Sequence, residues 1–106
     1  MQHVQVCVIG AGPAGLILAE LLAKSGIDAV VLERRTRAYV ESRIRAGVLE
    51  DGTMRVLEEA GVGKRMHAEG LVHHGFDIAA NGRRLRIDLD SLTGRSVMVY
   101  RQTELT

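Results

Sequence analysis

The sequence contains no tryptophan, one cysteine, one proline and only three aromatic residues, Tyr39, Phe76 and Tyr100. So few rings leave no stacking platform for single-stranded nucleic acid. A net charge of +1 supplies no field to attract a phosphate backbone, although short basic clusters occur at 34–37 and 83–86. The lone Cys7 excludes an intramolecular disulfide framework and fits a reducing compartment; inside an apolar run it reads as a small buried hydrophobe. The sequence offers no HxxxH, CxxC or paired-carboxylate pattern for a metal. Residues 4–23 are mostly apolar, but no basic segment precedes them and glycines interrupt them, which argues against an export signal or a membrane span. A soluble, cytoplasmic protein is expected. Internal repeats, linkers and low-complexity segments are also missing.

What is present begins at once. An apolar run from Val4 to Ile9 is followed by Gly10-Ala11-Gly12-Pro13-Ala14-Gly15, an apolar helix, and a second apolar run ending in Glu33. Strand, glycine turn, helix and strand, with an acidic residue about 20 positions after the glycines, make a dinucleotide-binding pattern. Gly10 permits the tight turn, Gly12 lets backbone come close to a pyrophosphate, and Gly15 lets the helix pack on the sheet. Pro13 sits in the first helical turn, where its missing N–H costs nothing, and the remaining amides there face anionic oxygen. Glu33 is placed to accept hydrogen bonds from ribose hydroxyls.

Further along, the spacing predicts a helix over Pro13 to Ser25, apolar on most sides and covered by neighbouring structure, with Gly26 as its stop. Ala29 to Glu33 reads as a buried parallel strand. Residues 34–47 are basic and irregular. A second helix is expected over Leu49 to Ala60, with Leu49, Met54 and Leu57 inward and Gly61 as its stop, then a short helical piece from Gly63 to Glu69. The period changes to two over Val72 to Leu89, and Asn81-Gly82 in its middle predicts a single hairpin. Val97 to Tyr100 is a candidate third strand of the parallel sheet, and Glu104 to Thr106 looks like the start of another helix. The expected fold is α/β, a Rossmann-type dinucleotide-binding parallel sheet with an attached β-hairpin.

Several of these segments, VIGAGPAGL, GIDAVVLERR, SRIRAGVLE, GLVHHG, RRLRIDL and VYRQTE, together resemble the N-terminal part of the flavoprotein aromatic hydroxylases. The loop SRIRAGVLE is the most specific of them. The resemblance implies that Gly10, Gly12, Pro13, Ala14 and Gly15 approach the FAD pyrophosphate and Glu33, beside Arg34, the adenosine ribose. It assigns Arg43, Ile44, Arg45, Ala46, Gly47 and Val48 to a flavin-contacting loop and Gln102 to a further FAD contact. Arginine offers a permanently charged planar fork for phosphate oxygens, and Ala46-Gly47 allows backbone near a flat ring, so the assignment makes chemical sense. Arg34, Arg35, Arg37 and Tyr39 match the segment that influences NADPH recognition, which favours NADPH over NADH. His73 matches the histidine ending a proton relay from the substrate phenol, a catalytic task suited to an unperturbed pKa of about 6.5. Ala14 departs from the serine that close relatives often carry.

By the same resemblance the parent enzyme uses NADPH to reduce FAD and O₂ to convert 4-hydroxybenzoate to 3,4-dihydroxybenzoate, with a homodimeric full-length form allowed. Residues 1–106 are then the N-terminal part of an FAD-binding domain, without a substrate domain and inactive alone. Two alternatives stay open at this point: the nucleotide-binding domain of an NAD(P)-dependent dehydrogenase, and a non-catalytic nucleotide-binding module. SRIRAGVLE and Gln102 have no role in either.

Overall fold

The computed structural model describes residues 1, 3–43 and 46–105. The first unit is β1 (Val6–Ile9), α1 (Pro13–Lys24) and β2 (Ala29–Leu32). β1 and β2 pair in parallel, with Val6 opposite Ala29 and Ile9 opposite Leu32. Gly10 closes the turn at φ +104°, its N–H donating to the Leu32 carbonyl at 2.7 Å. Gly26, at φ +69°, ends α1 as the sequence implies.

α1 covers only one face of this pair. Val8 lies under the helix and is buried, whereas Ile9 on the opposite face is 79% exposed. Cys7 shares that open face and is exposed, which corrects its reading as a buried hydrophobe. Alternation is the reason, because neighbouring residues of a strand point to opposite sides and one side here has no cover. α1 itself has no buried residue among the described ones, so the covered helix expected from its composition is not found.

The core lies elsewhere. β3 (Val48–Leu49) and β4 (Leu71–His73) flank β7 (Val97–Val99) in an antiparallel sheet of order β3-β7-β4. α3 (Asp51–Glu59) and α4 (Gly63–Glu69) pack with it through Leu49, Met54, Leu57, Met66, Met98 and Tyr100, and Ile17 and Leu105 close the cluster. β7 is therefore not a third strand of the parallel sheet. Met98 and Tyr100 alternate inward with Val97 and Val99 half-buried or exposed, the pattern of a strand covered on one face. Leu49 points inward as expected, but from a strand; the helix begins two residues later at Asp51. Lys24 Nζ donates to the Glu59 carbonyl and so ties the end of α1 to the end of α3.

The basic segment is not wholly irregular. α2 (Arg37–Ser42) forms there, and the Thr36 hydroxyl accepts from the Tyr39 N–H at 3.2 Å as its cap. The predicted hairpin divides at His74. Residues before it join β7, and β5 (Gly75–Ala80) pairs with β6 (Arg83–Asp88) around Asn81 and Gly82, both at positive φ. His74 marks the division because its carbonyl accepts from Leu89 and Asp90 at the start of α5 (Leu89–Thr93). The last segment, Gln102–Leu105, is a 3₁₀ turn rather than an α-helix start. No helix among the described residues is long and apolar enough to cross a membrane.

Candidate functional site

Three glycines at the mouth of α1 are glycine for three different reasons. Gly10 is required by its backbone, since φ +104° is a region that other residues rarely enter. Gly15 is required by packing: a Cβ there would stand 2.1 Å from the Gly10 carbonyl oxygen and 3.3 Å from Val8 Cγ1. Gly12 is required by neither. Its φ of −76° suits any residue, and a Cβ would meet no protein atom within 4 Å. Gly12 is the N-cap of α1, Pro13 occupies the first turn, and Ala14 beside it is exposed. The open space therefore lies at the positive end of a 12-residue helix.

Glu33 faces the same turn. Its Oε2 accepts the Ala11 N–H at 3.0 Å and its Oε1 accepts the Arg35 N–H at 2.8 Å. These two backbone donors hold the carboxyl below the usual glutamate range. Each oxygen keeps a further lone pair for a hydroxyl donor. A cavity of about 410 Å³ opens beside it, walled by Ala11, Leu16, Glu33, Arg35, Arg37 and Val40 among others. Ala11 and Leu16 were not singled out from sequence; Ala11 acts through its backbone N–H, which carries no residue-type signal.

The basic segment is organised around Tyr39. The Arg35 guanidinium lies 4.9 Å from the ring centroid and that of Arg43 5.6 Å, within cation–π range. Arg37 Nε instead donates to Glu41 Oε1 at 2.6 Å, and Arg34 is exposed. Thr36 was also overlooked, although a threonine before a short helix is a readable cap signal.

Of the proposed flavin loop, Ile44 and Arg45 lie outside the described residues. Ala46 is exposed, Gly47 half-buried, and Val48 enters β3 at 56% exposure. The Gly47 carbonyl accepts the Tyr100 N–H at 2.7 Å, which sets the loop beside the chain leading to Gln102. A Cβ on Gly47 would lie 3.4 Å from the Tyr100 oxygen, an ordinary contact, so packing does not demand glycine here either. Sequence positions more than 50 apart thus meet at one edge. Burial of Tyr100 raises its phenol pKa.

His73 is apart from this group. It ends β4 opposite Val97 and is exposed, while its neighbour His74 places Nδ1 2.6 Å from Asp90 Oδ2.

These features suit FAD. The helix mouth leaves room for a pyrophosphate, Glu33 presents acceptors to a ribose, and Gly47 leaves backbone accessible to a planar ring. Comparison with known proteins agrees. Residues 3–106 match the family described as FAD binding domain. The chain is 50% identical over 103 residues to p-hydroxybenzoate hydroxylase of Acinetobacter baylyi, covering 96% of this chain and 26% of that protein. It is 40% identical over 73 residues to a probable NADH-specific resorcinol 4-hydroxylase of Rhodococcus jostii, covering 69% of this chain and 13% of that one. The crystal structure of PqsL, a probable FAD-dependent monooxygenase from Pseudomonas aeruginosa, superposes with a TM-score of 0.85 at 25% identity over 98% of this chain and 28% of that one. The chain thus spans about a quarter of the length of p-hydroxybenzoate hydroxylase and of PqsL, and less of the resorcinol hydroxylase. With the glycine turn, the anchored acidic residue and the loop at Gly47 in place, the chain belongs to the FAD binding domain family, among the flavoprotein aromatic hydroxylases.

Proposed function

We propose that this chain is the FAD-holding part of an enzyme that hydroxylates 4-hydroxybenzoate to 3,4-dihydroxybenzoate, with NADPH as reductant. The observation that carries the FAD assignment is Gly12, a glycine that neither backbone nor packing explains and that opens space at a helix N-terminus. The substrate rests on the 50% identity to p-hydroxybenzoate hydroxylase. When bound, FAD supplies the redox chemistry, taking electrons from the nicotinamide and passing them to O₂. The chain's own groups do the holding. Amides of the first turn of α1 bind pyrophosphate oxygens, Glu33 fixes the ribose, and Gly47 with Gln102 borders the ring.

Support for NADPH comes from Arg35, an exposed cation lining the cavity with no carboxylate within ion-pair distance among the described residues, and from its exposed neighbour Arg34. Arg37 is engaged with Glu41, which makes it the weaker candidate for a 2′-phosphate. One relative is described as a probable NADH-specific hydroxylase, so the preference for NADPH is proposed on these arginines, whose guanidinium groups suit a 2′-phosphate. His73, exposed at the end of β4, is proposed to pass the phenol proton to solvent. An exposed Cys7 thiol suits a cytoplasmic setting.

The test begins with the visible spectrum of the protein after FAD is added and excess is removed. Flavin retained near one equivalent supports the site. Oxidation of NADPH by the full-length enzyme that contains this chain is then followed with 4-hydroxybenzoate, its positional isomers and resorcinol. Formation of 3,4-dihydroxybenzoate with NADPH preferred over NADH is expected; no retained flavin, or turnover of another phenol only, overturns the assignment.

A further inference from the structure

The 3₁₀ turn Gln102–Leu105 has two visible holds on the rest of the molecule. One is apolar, Leu105 against the core cluster. The other is ionic: Arg65 on α4 directs Nη2 to Glu104 Oε2 at 2.6 Å while its Nε donates to Glu69 Oε1 at 2.8 Å. One planar guanidinium thus bridges two carboxylates, one turn along its own helix and across to the turn, a geometry that a lysine ammonium does not reproduce. These three side chains, with Tyr100 and Arg101, border an open cavity of about 340 Å³. The same chain, two residues before Gln102, donates the Tyr100 N–H to Gly47. Whatever fixes this turn therefore bears on the edge where Gly47 meets Tyr100 and Arg101, the chain leading into Gln102.

We propose that Arg65 is a positioning residue for the cofactor, an ionic latch that holds the Gln102 turn against α4 through Glu104 and so sets the Gly47–Gln102 edge for the flavin. The inference rests on the FAD reading above. The Arg65 and Glu104 side chains are 58% and 36% exposed, so the latch acts in a screened environment and its effect is modest and salt-dependent.

The experiment measures the FAD dissociation constant of the full protein by flavin fluorescence, at low and at high salt, for the unchanged protein, Arg65→Met, Glu104→Gln and the double variant. Thermal unfolding of each apo-protein is recorded alongside. Either single change is expected to weaken FAD about three- to five-fold at low salt, with the double no weaker than a single. Melting temperatures should stay together, and the unchanged protein should lose its advantage over the variants as salt rises. Equal affinities, additive losses, or losses that follow melting temperature overturn the latch and leave the FAD site standing. An unchanged protein that takes up no FAD overturns the FAD reading and this proposal with it.

Discussion

At the scale of single residues, Gly12 and Gly15 separate function from folding. Alanine at 15 would place its Cβ 2.1 Å from a backbone oxygen, which no rotamer relieves. Gly15→Ala is therefore expected to lower stability by about 2 kcal/mol or more, read as an early chemical-denaturation midpoint. Gly12→Ala meets open space at an ordinary φ, so its stability should stay within about 0.5 kcal/mol of the unchanged protein. Its FAD affinity should nonetheless fall about ten-fold or more, because the methyl occupies room that the pyrophosphate needs. Calorimetric titration with FAD checks it, and unchanged affinity would remove Gly12 from the site. Glu33 gives a pH signature. Its folded pKa is lowered by the Ala11 and Arg35 amides, so its contribution is present above the ordinary value of 4.5 and is lost as pH falls below that through the lowered value. FAD retention should be insensitive to this group between about pH 5 and pH 8 and decline only in stronger acid. In Glu33→Gln the side-chain NH₂ must face one of two N–H donors, and weaker FAD binding already at neutral pH is expected in the same titration.

At the scale of elements, local patterns were readable wherever one residue type has one physical reason. Asn81-Gly82 produced its turn, Gly26 and Gly61 ended their helices at positive φ, and the glycines after β1 opened α1. The failures share another cause. Val97–Val99 is too short an apolar run to declare its partners, and only Met98 and Tyr100 meeting Leu49 across the sheet reveal that it pairs antiparallel with β3 and β4. Likewise nothing in VHHGF announces that the chain changes sheets at His74; the Leu89 and Asp90 amides bonded to its carbonyl impose that. The meeting of Gly47 with Tyr100 is a backbone hydrogen bond, which leaves no mark on residue type. Packing at Gly70 was equally silent in the sequence, yet it is tight. A Cβ there would lie 2.4 Å from Met98 Sδ and 2.5 Å from the Met66 carbonyl oxygen. Gly70→Ala should accordingly separate α4 from β7 and destabilise by about 1–3 kcal/mol in urea unfolding, a loss that the smaller open-space change Gly52→Ala should not share.

At the scale of the whole molecule, the radius of gyration of 17.3 Å exceeds the roughly 13 Å of a compact chain of this size, and the long axis reaches 63 Å. Unequal cover is the consequence. The cluster of Leu49, Met54, Leu57, Met66, Met98 and Tyr100 is closed, whereas Phe76, Ile78 and Leu85 on β5 and β6 are each about half exposed or more. Phe76 pairs with Ile87 and Ile78 with Leu85 on one face, while Asp77 on the other reaches Arg84 and Arg86 at 3.6 and 3.3 Å. A two-stranded ribbon with such exposed pairs has little beyond its own ladder to resist opening, since isolated hairpins are marginal in water. Local opening there should need far less free energy than global unfolding. Hydrogen exchange followed by mass spectrometry is expected to show amides of 76–79 and 84–87 exchanging well before those of Met98 and Leu57, with the hairpin insensitive to added FAD because no proposed cofactor contact lies on it. Equal protection of hairpin and core would mean that the ribbon is covered in solution, by a second copy or another surface. Dilution separates those outcomes, because only cover by a second copy weakens as the protein concentration falls.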